Sequence, residues 1–161
     1  MFREILRAFR ARSIDAELLT EFDDMLVHTA WMFDQACTAL AGSVNADDIQ
    51  DALYTRDKKV NELERSIRRK IIRHLTIHPH TDLTACLVFM SVSKDAERIG
   101  DYCKNVFEVA LYYREPFRTE PYHQQLDGIQ KQVQGMFKQT QTAFDTADAK
   151  VAKSVITLAS Q

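Results

Sequence analysis

The sequence predicts an all-α protein, an antiparallel bundle of long helices. Three observations predict it. Only four Gly and three Pro interrupt 161 residues, so helices can run far before a breaker stops them. Apolar residues recur at the three-and-four spacing of an amphipathic helix along most of the chain. No segment shows the apolar–polar alternation of a half-buried strand.

The elements follow in order. Residues 1–12 carry Phe2, Ile5, Leu6 and Phe9 at helical spacing among Arg3, Arg7, Arg10 and Arg12, which reads as a short basic amphipathic helix. Such a helix either docks on the end of the bundle or touches a partner or a membrane surface. Ser13 or Asp15 is placed to cap the first long helix, which runs to about Ala41 with Leu18, Phe22, Met25, Met32, Cys37 and Leu40 facing the core. Gly42 stops it. Asn45 caps a second helix that reaches Ile77, with Asp47 and Asp48 at the positive end of its dipole. His78-Pro79 ends it. A third helix opens at His80 or Thr81 and runs to about Arg114, ahead of Pro116. After a loop holding Pro116 and Pro121, a fourth spans Tyr122 to Thr146 through Leu126, Ile129, Val133, Phe137 and Phe144, and a fifth begins near Asp148.

The chain also repeats itself. Met32 to Leu40 resembles Met136 to Phe144, with five of nine positions identical, and each block precedes a polar turn and a new helix. Residues 13–116 therefore read as one complete three-helix repeat and residues 117–161 as the incomplete start of another. The last helix has no stop signal, so we expect either a longer protein or pairing with another copy in a homo-oligomer.

Composition narrows the function. A formal charge of −2 gives no whole-protein case for nucleic-acid binding. Cys37, Cys86 and Cys103 are odd in number, widely spaced and set among apolar residues, as in a cytoplasmic protein with reduced, buried thiols. No apolar run approaches the ~20 residues of a membrane span. No nucleophile-and-base set, Gly-rich phosphate loop or zinc-protease motif is present, so no enzyme is expected. The one Glu followed by His three residues later, Glu120 before His123, is interrupted by Pro121 and has no second copy, so the paired helical Glu-x-x-His motifs of a ferritin-like di-iron bundle are absent.

Two acidic sets are the informative feature. Glu97 and Asp101 lie one helical turn apart, and Asp57, Asn61 and Glu64 repeat that geometry on the preceding helix. Like charges at this spacing repel. They persist when the face is hydrated, when cations neutralise it, or when it binds a metal ion. The helical angle places both sets beside the apolar stripe, so two antiparallel helices would align them along one groove edge. Arg56, Lys58, Arg65, Arg68 and Lys94 are available as neutralising partners. Arg65, Arg68, Arg69, Lys70 and Arg73 form a basic run that either complements the negative end of the second helix or meets phosphate groups or an acidic partner. Trp31, Tyr112 and Tyr113 read as packing or interface residues.

Asp57-Lys58-Lys59-Val60-Asn61-Glu62-Leu63-Glu64, then Pro79 and Asp82-Leu83, then Glu97-Arg98-Ile99-Gly100-Asp101 and Asn105, resembles one repeat of the PhoU family. The family's Asp-Leu-Arg after the proline reads Asp82-Leu83-Thr84 here. The resemblance implies an all-helical regulator of phosphate uptake and phosphate signalling, either free in the cytoplasm or peripheral at the inner face of the membrane. Its implied partners are the ATPase subunit of a phosphate transporter, a phosphate permease or a phosphate-sensing histidine kinase. It further implies an iron or zinc cluster on the acidic faces, with Asp57, Asn61, Glu64, Glu97 and Asp101 as the metal-ligating set. The alternative from the residues is a helical adaptor or dimerisation module that uses no metal.

Overall fold

The computed structural model describes residues 16–78, 83–113 and 123–159. They form five helices: α1 Ala16–Leu40, α2 Ala46–Ile77, α3 Leu83–Tyr113, α4 His123–Thr146 and α5 Ala149–Leu158. No strand occurs among the described residues. The expected basic helix over residues 1–12 lies outside them.

The ends are set by local chemistry. At the close of α1, Gly42 takes φ 71°, and the Ser43 N–H reaches back to the Thr38 carbonyl at 3.1 Å. This left-handed closure satisfies carbonyls that the helix leaves bare. The Asn45 side chain accepts from the Asp47 N–H at 3.2 Å and opens α2. The turn between α4 and α5 uses the same devices. Asp148 N–H bonds the Ala143 carbonyl at 3.2 Å, and the Asp148 carboxylate accepts from the Lys150 N–H at 2.7 Å. Its left-handed residue is Ala147, at φ 54°, where a Cβ is unfavourable.

α1, α2 and α3 pack on one another around a core of Leu18, Phe22, Met25, Leu53, Ile67 and Phe89, all nearly inaccessible to solvent. Tyr54 donates to Glu108 at 3.3 Å and lies edge-on to Phe107, while Val60 further along α2 meets Gly100 earlier on α3, so the two helices run antiparallel. Thr29 of α1, Val60 of α2 and Gly100 of α3 meet at one level of the bundle. A Cβ built on Gly100 would sit 3.5 Å from Thr29 Cγ2 and 3.6 Å from Val60 Cγ1, ordinary contact distances.

α4 packs on α1, and α5 on α4. The equivalent phenylalanines of the internal repeat, Phe33 and Phe137, face each other at 5.7 Å between ring centres, and Phe22 meets Phe144 at 4.7 Å. Gln134 and Gln141 donate to Asp34 and Asp23 across the same interface, each at 2.9 Å. α4 therefore meets α1 through paired aromatic rings flanked by two side-chain hydrogen bonds.

The α1–α2 contact contains a titrating group. His28 Nδ1 lies 2.9 Å from Arg56 Nη1, and the guanidinium stacks 4.1 Å over the Trp31 ring. A guanidinium only donates, so Nδ1 is the acceptor and the imidazole is neutral. Burial, then the Arg56 charge, push His28 below its ordinary 6.5; Asp24 opposes this and Lys59 adds to it. All three cysteines are free, with Cys86 and Cys103 buried.

Three outcomes follow from this packing. Gly100→Ala fits the space at Gly100 and removes a mid-helix glycine, so chemical denaturation should show stability unchanged or raised by up to about 1 kcal/mol, whereas Gly100→Leu should destabilise strongly. Ala147→Gly relieves a left-handed alanine and should stabilise by about 1 kcal/mol. For His28, the unfolded chain takes up a proton near 6.5 while the folded chain resists it. Its contribution is present above 6.5 and lost as pH falls through the lower folded value. The denaturation midpoint should fall with pH in that window, and His28→Gln should flatten the fall.

Candidate functional site

The register that pairs Tyr54 with Glu108 and Val60 with Gly100 also brings the acidic sets of α2 and α3 to one seam. Lys104 shows this directly. Its ammonium lies 3.1 Å from Asp101 Oδ1 and 3.5 and 3.4 Å from Asp57 Oδ1 and Oδ2. Asp57 of α2 and Asp101 of α3 thus share one cation. Continuing the same register one to two turns along places Glu64 level with Glu97.

The spacing argument put the acids beside the apolar stripe. The structure corrects this for two of them: Glu64 and Glu97 are both buried, each 7 % exposed. A helical angle places a residue only relative to its own helix. Here the neighbouring helices close over the carboxylates. Each buried acid has a cation from its own helix. Arg68 Nε approaches Glu64 Oε1 at 2.6 Å without the alignment of a hydrogen bond, and Lys94 donates to Glu97 Oε2 at 2.5 Å. Asp57 and Asp101 are half-buried. The Asn61 amide donates to the Asp57 backbone carbonyl at 3.0 Å, one turn back on α2.

Four carboxylates, Asp57, Glu64, Glu97 and Asp101, therefore face three cations, Arg68, Lys94 and Lys104, and the seam keeps one net negative charge. Burial alone would lower the Lys104 ammonium, but its hydrogen bond to Asp101 and the charges of Asp57 and Asp101 more than offset that and raise it. It stays charged throughout the physiological range.

Zinc and iron centres need several ligands converging on one point. Among the described residues no three His, Cys, Asp or Glu side chains gather in that way. The expected set of Asp57, Asn61, Glu64, Glu97 and Asp101 is aligned along one seam, but its carboxylates hold neighbouring cations. As arranged, these residues do not fit a metal cluster.

Other candidates resolve as follows. Of the suggested neutralising residues, Arg68 and Lys94 reach the acids, while Arg56 turns to His28 and Trp31. Within the basic run, Lys70 ties α2 to α1 through Glu17 at 2.5 Å and Glu21 at 3.1 Å. Lys104 was missed from the sequence. Its spacing of three from Asp101 was a visible signal, but its contact with Asp57 requires the register of two helices. Tyr112 and Tyr113, at the end of α3, are 80 % and 60 % exposed, so they pack little within the described chain. An apolar cavity of about 290 Å³ lies between α1, α3 and α4, lined by Leu26, Phe33, Tyr102, Cys103, Val133 and Phe137 among others. Burial, with the Asp34 charge adding, pushes the Cys37 thiol up to about 11, and burial, with the Cys37 charge next, pushes the Cys103 thiol to about 12, so neither is an activated nucleophile. No helix among the described residues is long and apolar enough to cross a membrane.

Comparison with known proteins places this arrangement. Residues 22–110, which include α2, most of α3 and the whole seam, match the model of the PhoU domain. The chain is 29 % identical over 100 residues to the phosphate-specific transport system accessory protein PhoU homolog 1 of Thermotoga maritima, covering 62 % of this chain and 41 % of the relative. It is 30 % identical over 98 residues to the phosphate-specific transport system accessory protein PhoU of Escherichia coli, covering 60 % and 39 %. To the PhoU homolog of Caulobacter vibrioides it is 27 % identical over 109 residues, covering 66 % and 47 %. The matched segment spans less than half the length of each of these relatives. No solved structure matches the chain. A family match over more than half of the chain, on an all-helical fold with the acidic seam inside the matched region, shows that this protein belongs to the PhoU family.

Proposed function

We propose that this chain regulates phosphate transport and phosphate-responsive signalling, without catalysis, by binding other proteins. The observation that carries this reading is the PhoU-domain match over residues 22–110. The named relatives, accessory proteins of a phosphate-specific transport system, support it. The partners proposed are the ATPase subunit of a phosphate transporter or a phosphate permease, and a phosphate-sensing histidine kinase.

The binding face proposed is the exposed apolar stripe of α3, whose Ile99 and Tyr102 also border the cavity between α1, α3 and α4. Ile99, Tyr102, Val109, Tyr112 and Tyr113 all expose much of their apolar surface. They follow one another at helical spacing, so a partner groove would meet a continuous stripe. Exposed aromatic side chains of this kind are the usual anchors of protein interfaces. The acidic seam lies along the same helix, where Asp101 is adjacent in sequence to Tyr102. An approaching partner would meet apolar anchors beside a patch of fixed, nearly balanced charge. The metal-free adaptor is the same reading stripped of its phosphate-related partners, and the internal pairing of the seam suits both.

The test is genetic and biochemical together. In a bacterial strain lacking its own PhoU protein, the chain should restore repression of a phosphate-responsive reporter at high phosphate. The tagged chain should retain the transporter ATPase subunit from the same source genome. Tyr102→Ala with Tyr112→Ala should weaken both effects by about tenfold or more while leaving the helical circular-dichroism signal unchanged. A chain that neither represses the reporter nor retains the ATPase or kinase would overturn the phosphate reading.

A further inference from the structure

We propose that Lys104 is the resident cation of the α2–α3 seam and keeps divalent metal ions out of it. The proposal concerns the charge chemistry of the seam and stands whether or not the partners named above are correct.

The geometry carries it. A metal ion bridging α2 and α3 would have to lie between Asp57 and Asp101, within about 2.0–2.6 Å of their oxygens. The Lys104 ammonium already sits between those groups, in contact with both oxygens of Asp57 and one of Asp101. The side chain is only 25 % exposed, so it is held in the seam and does not extend into solvent. Entry of a metal would require the ammonium to be expelled and rehydrated, or two positive species to share the same oxygens at close range.

The neighbouring acids do not make up the deficit. Glu64 and Glu97 are buried and paired with Arg68 and Lys94. Drawing either toward a metal would leave a cation of its own helix without its partner. The Asn61 side-chain nitrogen donates to the Asp57 backbone carbonyl, which holds that side chain back along α2. A zinc or iron ion arriving at the seam would find two carboxylates bound to a lysine and two more, Glu64 and Glu97, each paired with a cation of its own helix. In consequence the charge of this surface is fixed by the sequence and does not vary with metal supply.

Removing the lysine should invert this. Lys104→Met keeps the length of the side chain and deletes its charge, leaving Asp57 and Asp101 facing each other with vacant lone pairs. The full-length chain would be stripped with chelator and titrated with zinc, and separately with manganese, in competition with a coloured chelator. Lys104→Met should bind zinc at least about tenfold more tightly than the unaltered chain, and adding Asp101→Asn should abolish the gain. Zinc should raise the melting temperature of the variant and leave that of the unaltered chain in place. Should Lys104→Met fold poorly, Lys104→Gln retains a polar tip and should show the same direction. Equal zinc affinity in the unaltered chain and the Lys104 variants, whether tight or negligible, would overturn the proposal. So would stoichiometric zinc binding by the unaltered chain that is lost in Asp57→Asn/Asp101→Asn.

Discussion

Two acidic helix faces can pack together only if something neutralises them, and in this protein the neutralising charge comes from inside the chain. Lys104 bridges Asp57 and Asp101, while Arg68 and Lys94 attend Glu64 and Glu97. An uncompensated carboxylate at the burial of Glu64 or Glu97 would be strongly unfavourable. That charge balance lets the antiparallel register of α2 and α3, which also sets Val60 and Thr29 against Gly100, bring the two acidic faces together. The glycine in the Glu97-Arg98-Ile99-Gly100-Asp101 run has a definite part. It faces Thr29 of α1 and Val60 of α2, so three helices meet at the level of the acids.

Much of the fold was legible in the sequence because its signals are local. Gly42, Asn45 and Asp148 act at their own positions, and the helices start and stop within a residue or two of where those signals put them. The likeness between Met32–Leu40 and Met136–Phe144 is a sequence fact, and it gave no sign that Phe33 and Phe137 would touch. The alignment of the two acidic sets followed from one assumption, antiparallel packing of neighbouring helices. Their depth did not, because burial of Glu64 and Glu97 depends on the neighbouring helices that close over them. Arg56 shows the same limit from the other side. Its spacing suited the acids, yet the Trp31 ring and the His28 nitrogen on α1 hold it.

The second half of the chain is built by the same rules with less cover. α4 buries Ala143 and sets Phe137 and Phe144 against α1, but Leu126 and Ile129 remain exposed, as does Ile156 on α5. α5 has no buried residue along its ten-residue length, so it owes its place to the turn at Asp148 and to its contact with α4. The first three helices thus supply the core and the candidate site, and α4–α5 lean on them.

The central claim is that Asp57 and Lys104 are energetically coupled across the two helices. A double-mutant cycle measures this most directly, using Asp57→Asn, Lys104→Met, the pair together and the unaltered chain, with chemical denaturation as the readout. The account predicts a favourable coupling energy of about 1 kcal/mol or more, since the pair is largely shielded and shares Asp101. A coupling indistinguishable from zero would mean that the two side chains do not sense each other and that the seam is held by apolar packing alone.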